Sequence, residues 1–135
     1  MNIGQASLQS GVSAKMIRHY EALGLVPGVT RSAAGYRQYG EATVHTLRFI
    51  RRARDLGFET REIHALLLLW RDKKRPSAQV KRIAQRHVAD LAQRIAALQG
   101  MQRTLEHLAQ RCHGDHRPDC PILEDLAGRQ ATPRP

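Results

Sequence analysis

From about Ala78 to Arg111 the chain carries no proline and one glycine, Gly100, and its apolar residues recur at a fixed interval. Ala84, Leu91, Leu98 and Leu105 lie seven apart, and Val88, Ile95 and Leu108 fill most of the positions between them. Such spacing is a heptad seam on one helix, on the order of 50 Å long at the α-helical rise. A stripe of that length needs an equally long apolar surface against it. Neither a small N-terminal domain nor the short C-terminus can supply one, so the pattern predicts pairing with a second copy of the same chain.

The rest of the composition agrees with a helical protein. At 135 residues the chain suits one compact domain, or a small domain with a long appended element. Two Phe, three Tyr and one Trp are too few for a broad β-sandwich core, whereas the abundant Leu, Ala, Arg and Gln are good helix formers. The formal net charge is +10, and residues 1–75 hold 13 Lys/Arg against 6 Asp/Glu while residues 76–135 hold 9 against 6. A basic field concentrated in the N-terminal half favours an anionic partner, nucleic acid ahead of a membrane surface or an acidic protein. A solvated Arg-rich surface would give the same net charge. No apolar signal region follows Met1, and the longest apolar run, "ALLLLW", is too short to span a bilayer. The expected setting is therefore the cytoplasm, where two cysteines serve as thiols in metal or redox chemistry rather than as a structural bridge.

The N-terminal stretch "NIGQASLQSGVSAKMIRHYEALGL" reads as two short helices with a tight turn. Gly11 can end the first in a left-handed conformation and Ser13 can cap the second. Met16, Ile17, Tyr20 and Leu23 form an inward stripe, and Lys15, Arg18, His19 and Ala22 look outward. This describes a helix-turn-helix, although an αα-hairpin with a charged exterior has the same pattern. "TRSAAGYRQYG" follows as a small hairpin or wing, in which Arg31, Tyr36, Arg37 and Tyr39 mix guanidinium and phenol groups suited to phosphate oxygens. A wing directly after a helix-turn-helix is far more specific than either part. Two more helices are expected from about 41 to 70, the first with Val44, Leu47, Phe49, Ile50 and Ala53 inward and Arg48, Arg51, Arg52 and Arg54 as a basic edge. Gly57 breaks that pair, Thr60 is a plausible cap for the second helix, His64 is a partly exposed helix residue, and Pro76 closes the unit.

Cys112 extends the seam by one heptad from Leu105 and opens the segment "CHGDHRPDC", which holds both cysteines. Compartment disfavours a disulfide, and no orienting third group accompanies a catalytic Cys–His pair. Zinc could draw on Cys112, His113, His116 and Cys120, but the paired C-x-x-C element is missing. Two thiolates across a short loop equally suit a two-coordinate soft monovalent ion such as Cu(I). On spacing alone, zinc and Cu(I) stand level. "PILEDLAG" then reads as a short helix begun by Pro121 and ended by Gly128.

Taken in order, "MNI", "IRHYEALGL", "RSAAGYRQY", "RRARDLGF", the long helix and "C-x7-C-P-I" resemble the MerR family of metal-responsive transcriptional regulators, in its copper-efflux branch. The resemblance covers about residues 1–128. It implies a mainly α chain: a winged helix-turn-helix DNA-binding domain (1–75), a long antiparallel coiled-coil dimerisation helix (76–111), a metal-binding loop and short helix (112–128), and a disordered tail (129–135). It implies that Lys15 and Arg18 lie on the major-groove helix, that Arg31, Tyr36, Arg37 and Tyr39 clamp phosphates from the wing, and that Arg54 is a further backbone contact. Cys112 and Cys120 would be the metal thiolates. Ser77 matches a position that is serine in monovalent-ion sensors and cysteine in divalent ones, where it comes from the partner chain, so it favours Cu(I), Ag(I) or Au(I). His113 and His116 make the loop richer in imidazole than a strictly two-thiolate site calls for: they would be solvent-exposed spectators, the favoured reading, or they could admit zinc. The function implied is a homodimeric activator, not an enzyme, that binds a palindromic promoter with an overlong spacer and realigns it for RNA polymerase by distorting the DNA. A divalent, zinc-type sensor on the same scaffold and a metal-buffering protein are the alternatives.

Overall fold

Helix α1 (Ile3–Ser10) begins with two reciprocal hydrogen bonds, Gln5 N–H to Asn2 Oδ1 at 2.8 Å and Asn2 N–H to Gln5 Oε1 at 2.9 Å. These satisfy donors that a helix start leaves open. The structure, a computed structural model, describes residues 1–115 and 118–128. Helix α1 ends at Gly11, which adopts φ +76° and donates its N–H to the Ser7 carbonyl at 2.9 Å. Ser13 Oγ then accepts from Met16 N–H at 3.2 Å and starts α2 (Ala14–Ala22). Ile17 and Tyr20 are buried and Met16 half-buried, while Lys15, Arg18, His19 and Ala22 are exposed, as the facial division requires. Leu23 departs from it, being 46% exposed. The helix stops at Ala22, Gly24 reverses the chain at φ +75°, and Leu25 and Val26 enter the core instead.

The wing is a two-residue ladder, β1 (Thr30–Arg31) against β2 (Arg37–Gln38), antiparallel with Thr30 opposite Gln38 and Arg31 opposite Arg37. Gly35, at φ +86°, donates to the Ser32 carbonyl and closes the reversal. Helix α3 (Glu41–Asp55) buries Val44, Leu47, Ile50 and Ala53, and Gly57 separates it from α4 (Thr60–Arg71). The cap of α4 is Glu59 and not Thr60: Glu62 Oε1, three residues further in, accepts the Glu59 N–H at 3.1 Å, and Thr60 is the first helical residue. One core joins these elements around Ile17, Tyr39, Leu47, Ile50, Ile63 and Leu67. Full burial of each such aliphatic side chain contributes about 1.5–3 kcal/mol.

Helix α5 (Ser77–Arg111) runs for 35 residues and passes through Gly100 without interruption, about 52 Å at the helical rise. The chain divides into two compact units, Met1–Ala84 and a second from Gln85 onward, and their boundary falls inside α5. On its surface Val88, Ile95, Leu98 and Leu105 are exposed, with Leu98 at 62%, whereas Leu91 is half-buried and Leu108 is buried. Most of the heptad seam thus stands open on a single chain. Helix α6 (Pro121–Leu126) begins on its proline, as expected. The tail expected over 129–135 lies outside the described residues. Among the described residues no helix is long and apolar enough to cross a membrane.

Candidate nucleic-acid interface and metal loop

The basic residues of α2 and the wing converge because the hairpin follows α2 after a short connection. Arg18 from α2 and Arg31, Tyr36 and Arg37 from the wing line one cavity of about 250 Å³, together with Asn2, Ile3 and Gly35. Tyr36 is 73% exposed, and Arg31 donates from Nη1 to the Gly35 carbonyl at 2.9 Å, which holds its guanidinium along the turn. Three arginines and a phenol around one concavity form a set of donors suited to a phosphate group. Lys15 and Arg54 are exposed on α2 and α3 but do not line this cavity.

Tyr39 is placed otherwise than expected. It is 1% exposed and belongs to the core, so it is not available as a phosphate contact. The physical reason is its backbone. Tyr39 N–H donates to the Met1 carbonyl at 2.8 Å and its carbonyl accepts from the Met1 nitrogen at 2.9 Å, which turns the side chain inward. Its hydroxyl comes near Glu21, although by strict distance and angle neither that hydroxyl nor the Glu21 carboxylate oxygens complete a hydrogen bond. Burial pushes the Tyr39 hydroxyl above the usual phenol pKa. The Glu21 carboxylate, as acceptor and as negative charge, pushes it the same way, against the opposing charges of Arg37 and Arg18.

Glu21 is the residue that facial reasoning passed over. Arg37 Nε stands 3.2 Å from Glu21 Oε2, and the two side chains are 43% and 12% exposed respectively. Its signal in the sequence is that it is the single acid of α2, three residues after Arg18. The basic edge of α3 also has a second use. Arg48 donates from Nε and Nη2 to the Gln9 carbonyl, and Arg51 from Nη1 to the Gly11 carbonyl. Helix C-termini leave carbonyls without partners, and these two arginines satisfy them across the helix-turn-helix.

At the other end, Cys112 directly follows α5 and donates its N–H to the Ala109 carbonyl at 3.2 Å. Cys120 caps α6, and its carbonyl accepts from Glu124 N–H at 3.0 Å. Both are free thiols and both are half-buried. His113 is exposed, and His116 lies outside the described residues. Among the described residues no three His, Cys, Asp or Glu side chains are grouped so as to hold a metal ion. Ser77 is exposed at the first position of α5.

Comparison with known proteins decides the family. The family model described as "MerR HTH family regulatory protein" matches residues 1–69, and that described as "MerR, DNA binding" matches residues 44–108. The chain belongs to the MerR family. MerR proteins of this kind are DNA-binding transcriptional regulators and not enzymes. "Heavy metal-dependent transcription regulator 2" of Rhizobium meliloti (strain 1021) is 58% identical over 97% of this chain and 89% of its own length. The "HTH-type transcriptional regulator CueR" of Escherichia coli O6:H1 (strain CFT073) is 42% identical over 95% of each chain. Among solved structures, the transcription regulator PbrR691 from Ralstonia metallidurans CH34, crystallised with lead(II), superposes with a TM-score of 0.81. It is 29% identical, and the match covers 93% of this chain and 98% of that one. The likeness to that structure therefore covers most of the chain.

Proposed function

We propose that this MerR protein is a cytoplasmic homodimeric transcriptional activator that senses a monovalent coinage-metal ion, Cu(I) or its relatives Ag(I) and Au(I), through Cys112 and Cys120. The observation that carries the reading is the donor set: two free, half-buried thiols at the end of a helix whose apolar seam is open. Two thiolates across a short loop suit a soft d10 ion at coordination number two. Similarity to a CueR regulator supports the same choice, and Ser77, rather than a cysteine, at the head of α5 adds no further thiolate.

The open seam supports a dimer, with Val88, Ile95, Leu98 and Leu105 covered by a second copy. The dimer then presents two copies of α2 and the wing to the two halves of a palindromic promoter. Lys15 and Arg18 contact the major groove, and Arg31, Tyr36, Arg37 and Arg54 contact phosphates. Metal binding favours one arrangement of the paired DNA-binding units, and the DNA they hold changes shape with it. RNA polymerase reads the realigned promoter and transcribes metal-efflux or detoxification genes.

A second reading, a divalent sensor on this scaffold, has one observation in its favour: PbrR691, of similar fold, was solved with lead(II). The two are separated by titrating the reduced protein anaerobically with Cu(I) and Zn(II) in the presence of competing chelators. Promoter activation is read for wild type, Cys112→Ser and Cys120→Ser. Activation by Cu(I) or Ag(I), lost in both variants, is the expected result. Activation by Zn(II) that requires His113 and His116 would overturn the monovalent assignment.

A further inference from the structure

Arg37 must hold its guanidinium in one place to contact a phosphate, yet its surroundings work against that. It stands directly opposite Arg31 in the ladder, and like charges facing each other across two strands repel. Arg18 brings a third cation to the same cavity. An ordered arginine also gives up much of its rotamer freedom.

Helix α2 supplies one group that opposes all of this. The Glu21 side chain is 12% exposed, and its Oε2 lies 3.2 Å from Arg37 Nε. Both carboxylate oxygens are out of solvent and complete no hydrogen bond of good geometry. A carboxylate is withdrawn from water at a cost of several kcal/mol unless a cation compensates it, so Glu21 and Arg37 hold each other. The carboxylate meets the guanidinium on its Nε side, and the Arg37 side chain, 43% exposed, still reaches solvent, where its fork has donors to offer an outside anion. Glu21, Val26, Gly28 and Val29 line a second cavity of about 260 Å³ that also reaches Arg31 and Arg37. The two arginines thus line both this cavity, which holds the acid, and the cationic one shared with Arg18.

We infer that Glu21 is the positioning residue of the DNA interface: its buried carboxylate ties Arg37 of the wing to α2, so that groove helix and wing meet DNA in one fixed register. The inference rests on the reading of α2 and the wing as the DNA-contacting elements. Glu21 itself touches no phosphate, since its oxygens are buried and negative. Its effect is on discrimination, because a wing free to swing still attracts any duplex but no longer enforces one alignment with the bases read by α2.

The test is a double-mutant cycle on the full-length protein with Glu21→Gln, Arg37→Gln and the double variant. The probes are a duplex selected from a randomised pool by the wild-type protein and a scrambled duplex of equal length, and the readout is the ratio of the two affinities at several salt concentrations. Glu21→Gln is expected to lower that ratio about tenfold, Arg37→Gln to match it, and the double variant to fall no further. The salt slope on the scrambled duplex should be unchanged in Glu21→Gln, which removes no cation. A ratio unaltered in Glu21→Gln, an equal gain on both duplexes, or additive losses would overturn the inference. An unaltered ratio in Arg37→Gln would instead bring down the wing reading beneath it. Should Glu21→Gln not fold, Arg37→Lys reads the same tie from the other side by keeping the charge without the Nε–H. A lowered ratio at constant salt slope is expected there, and an unaltered ratio overturns the inference.

Discussion

Arg51 donates from Nη1 to the carbonyl oxygen of Gly11 at 3.1 Å and so fastens α3 to the turn between α1 and α2. A β-carbon at Gly11 would fall 1.8 Å from that same Nη1 atom, whereas at Gly24 it would meet nothing within 4 Å. Both glycines have left-handed φ, +76° and +75°. Gly24→Ala therefore isolates the backbone term, about 1–2 kcal/mol. Gly11→Ala adds displacement of a flexible guanidinium end and loss of its charged hydrogen bond, roughly 1 kcal/mol more. Urea unfolding of both variants measures the difference. Equal losses would mean that the Arg51 bond contributes nothing to stability.

Tyr39 titrates with a definite sign. Its folded pKa is raised, first by burial and then by Glu21, so its contribution is fully present below the unfolded phenol value, about 10. As pH rises past that value the unfolded chain gives up its proton first, and stability falls until the folded pKa is passed. Tyr39→Phe should flatten this alkaline decline while changing stability at neutral pH by less than about 1 kcal/mol. It should leave DNA affinity unchanged, since the hydroxyl is buried. Thermal melts across the alkaline range and a neutral-pH binding isotherm check both parts. A large loss of DNA affinity at neutral pH would restore the phosphate contact first expected of Tyr39.

These two cases mark where the sequence could be read and where it could not. Ser13 as a cap, Gly11 and Gly57 as breaks, the hairpin at "AAG" and the long helix are all set by neighbours within a few residues, and each is found where local chemistry puts it. Tyr39 was misread because alternation tells which side chains share a face but not which face is buried. That choice is made by Met1, 38 residues away. Arg48 and Arg51 likewise look like a solvated basic edge until the fold brings Gln9 and Gly11 to them across 39 and 40 residues. Glu21 pairs with a wing that the helical wheel of α2 does not contain. At the metal loop, thiol chemistry is legible in Cys112 and Cys120, whereas the ion is not, because the residue count around it depends on what a second chain brings.

The seam offers a direct test of the dimer. Leu98 is 62% exposed on the single chain, so a charge there costs an isolated chain little. Covered by the partner helix in a dimer, an unpaired buried carboxylate would cost several kcal/mol. Leu98→Asp should therefore halve the mass measured by light scattering or sedimentation while leaving helix content by circular dichroism largely intact. A variant that remains dimeric would place the interface elsewhere.

Ser77 tests the metal assignment without touching either thiolate. It is exposed at the first position of α5, and in the proposed dimer it is supplied to the metal site by the partner chain. Ser77→Cys would bring a third thiolate, and with it both a ligand and a negative charge that a divalent ion needs. The variant should bind Zn(II) at least about tenfold more tightly than wild type and acquire promoter activation by Zn(II) or Hg(II). Its response to Cu(I) should weaken, because a two-coordinate ion gains little from the added donor and the site's net charge no longer matches it. Competition titrations with a chromophoric chelator, run beside a Cys112→Ser control, separate binding at this site from binding to stray thiols. If Ser77→Cys leaves Zn(II) affinity at the wild-type value, Ser77 does not approach the metal, and selection for a monovalent ion must come from the Cys112–Cys120 loop alone.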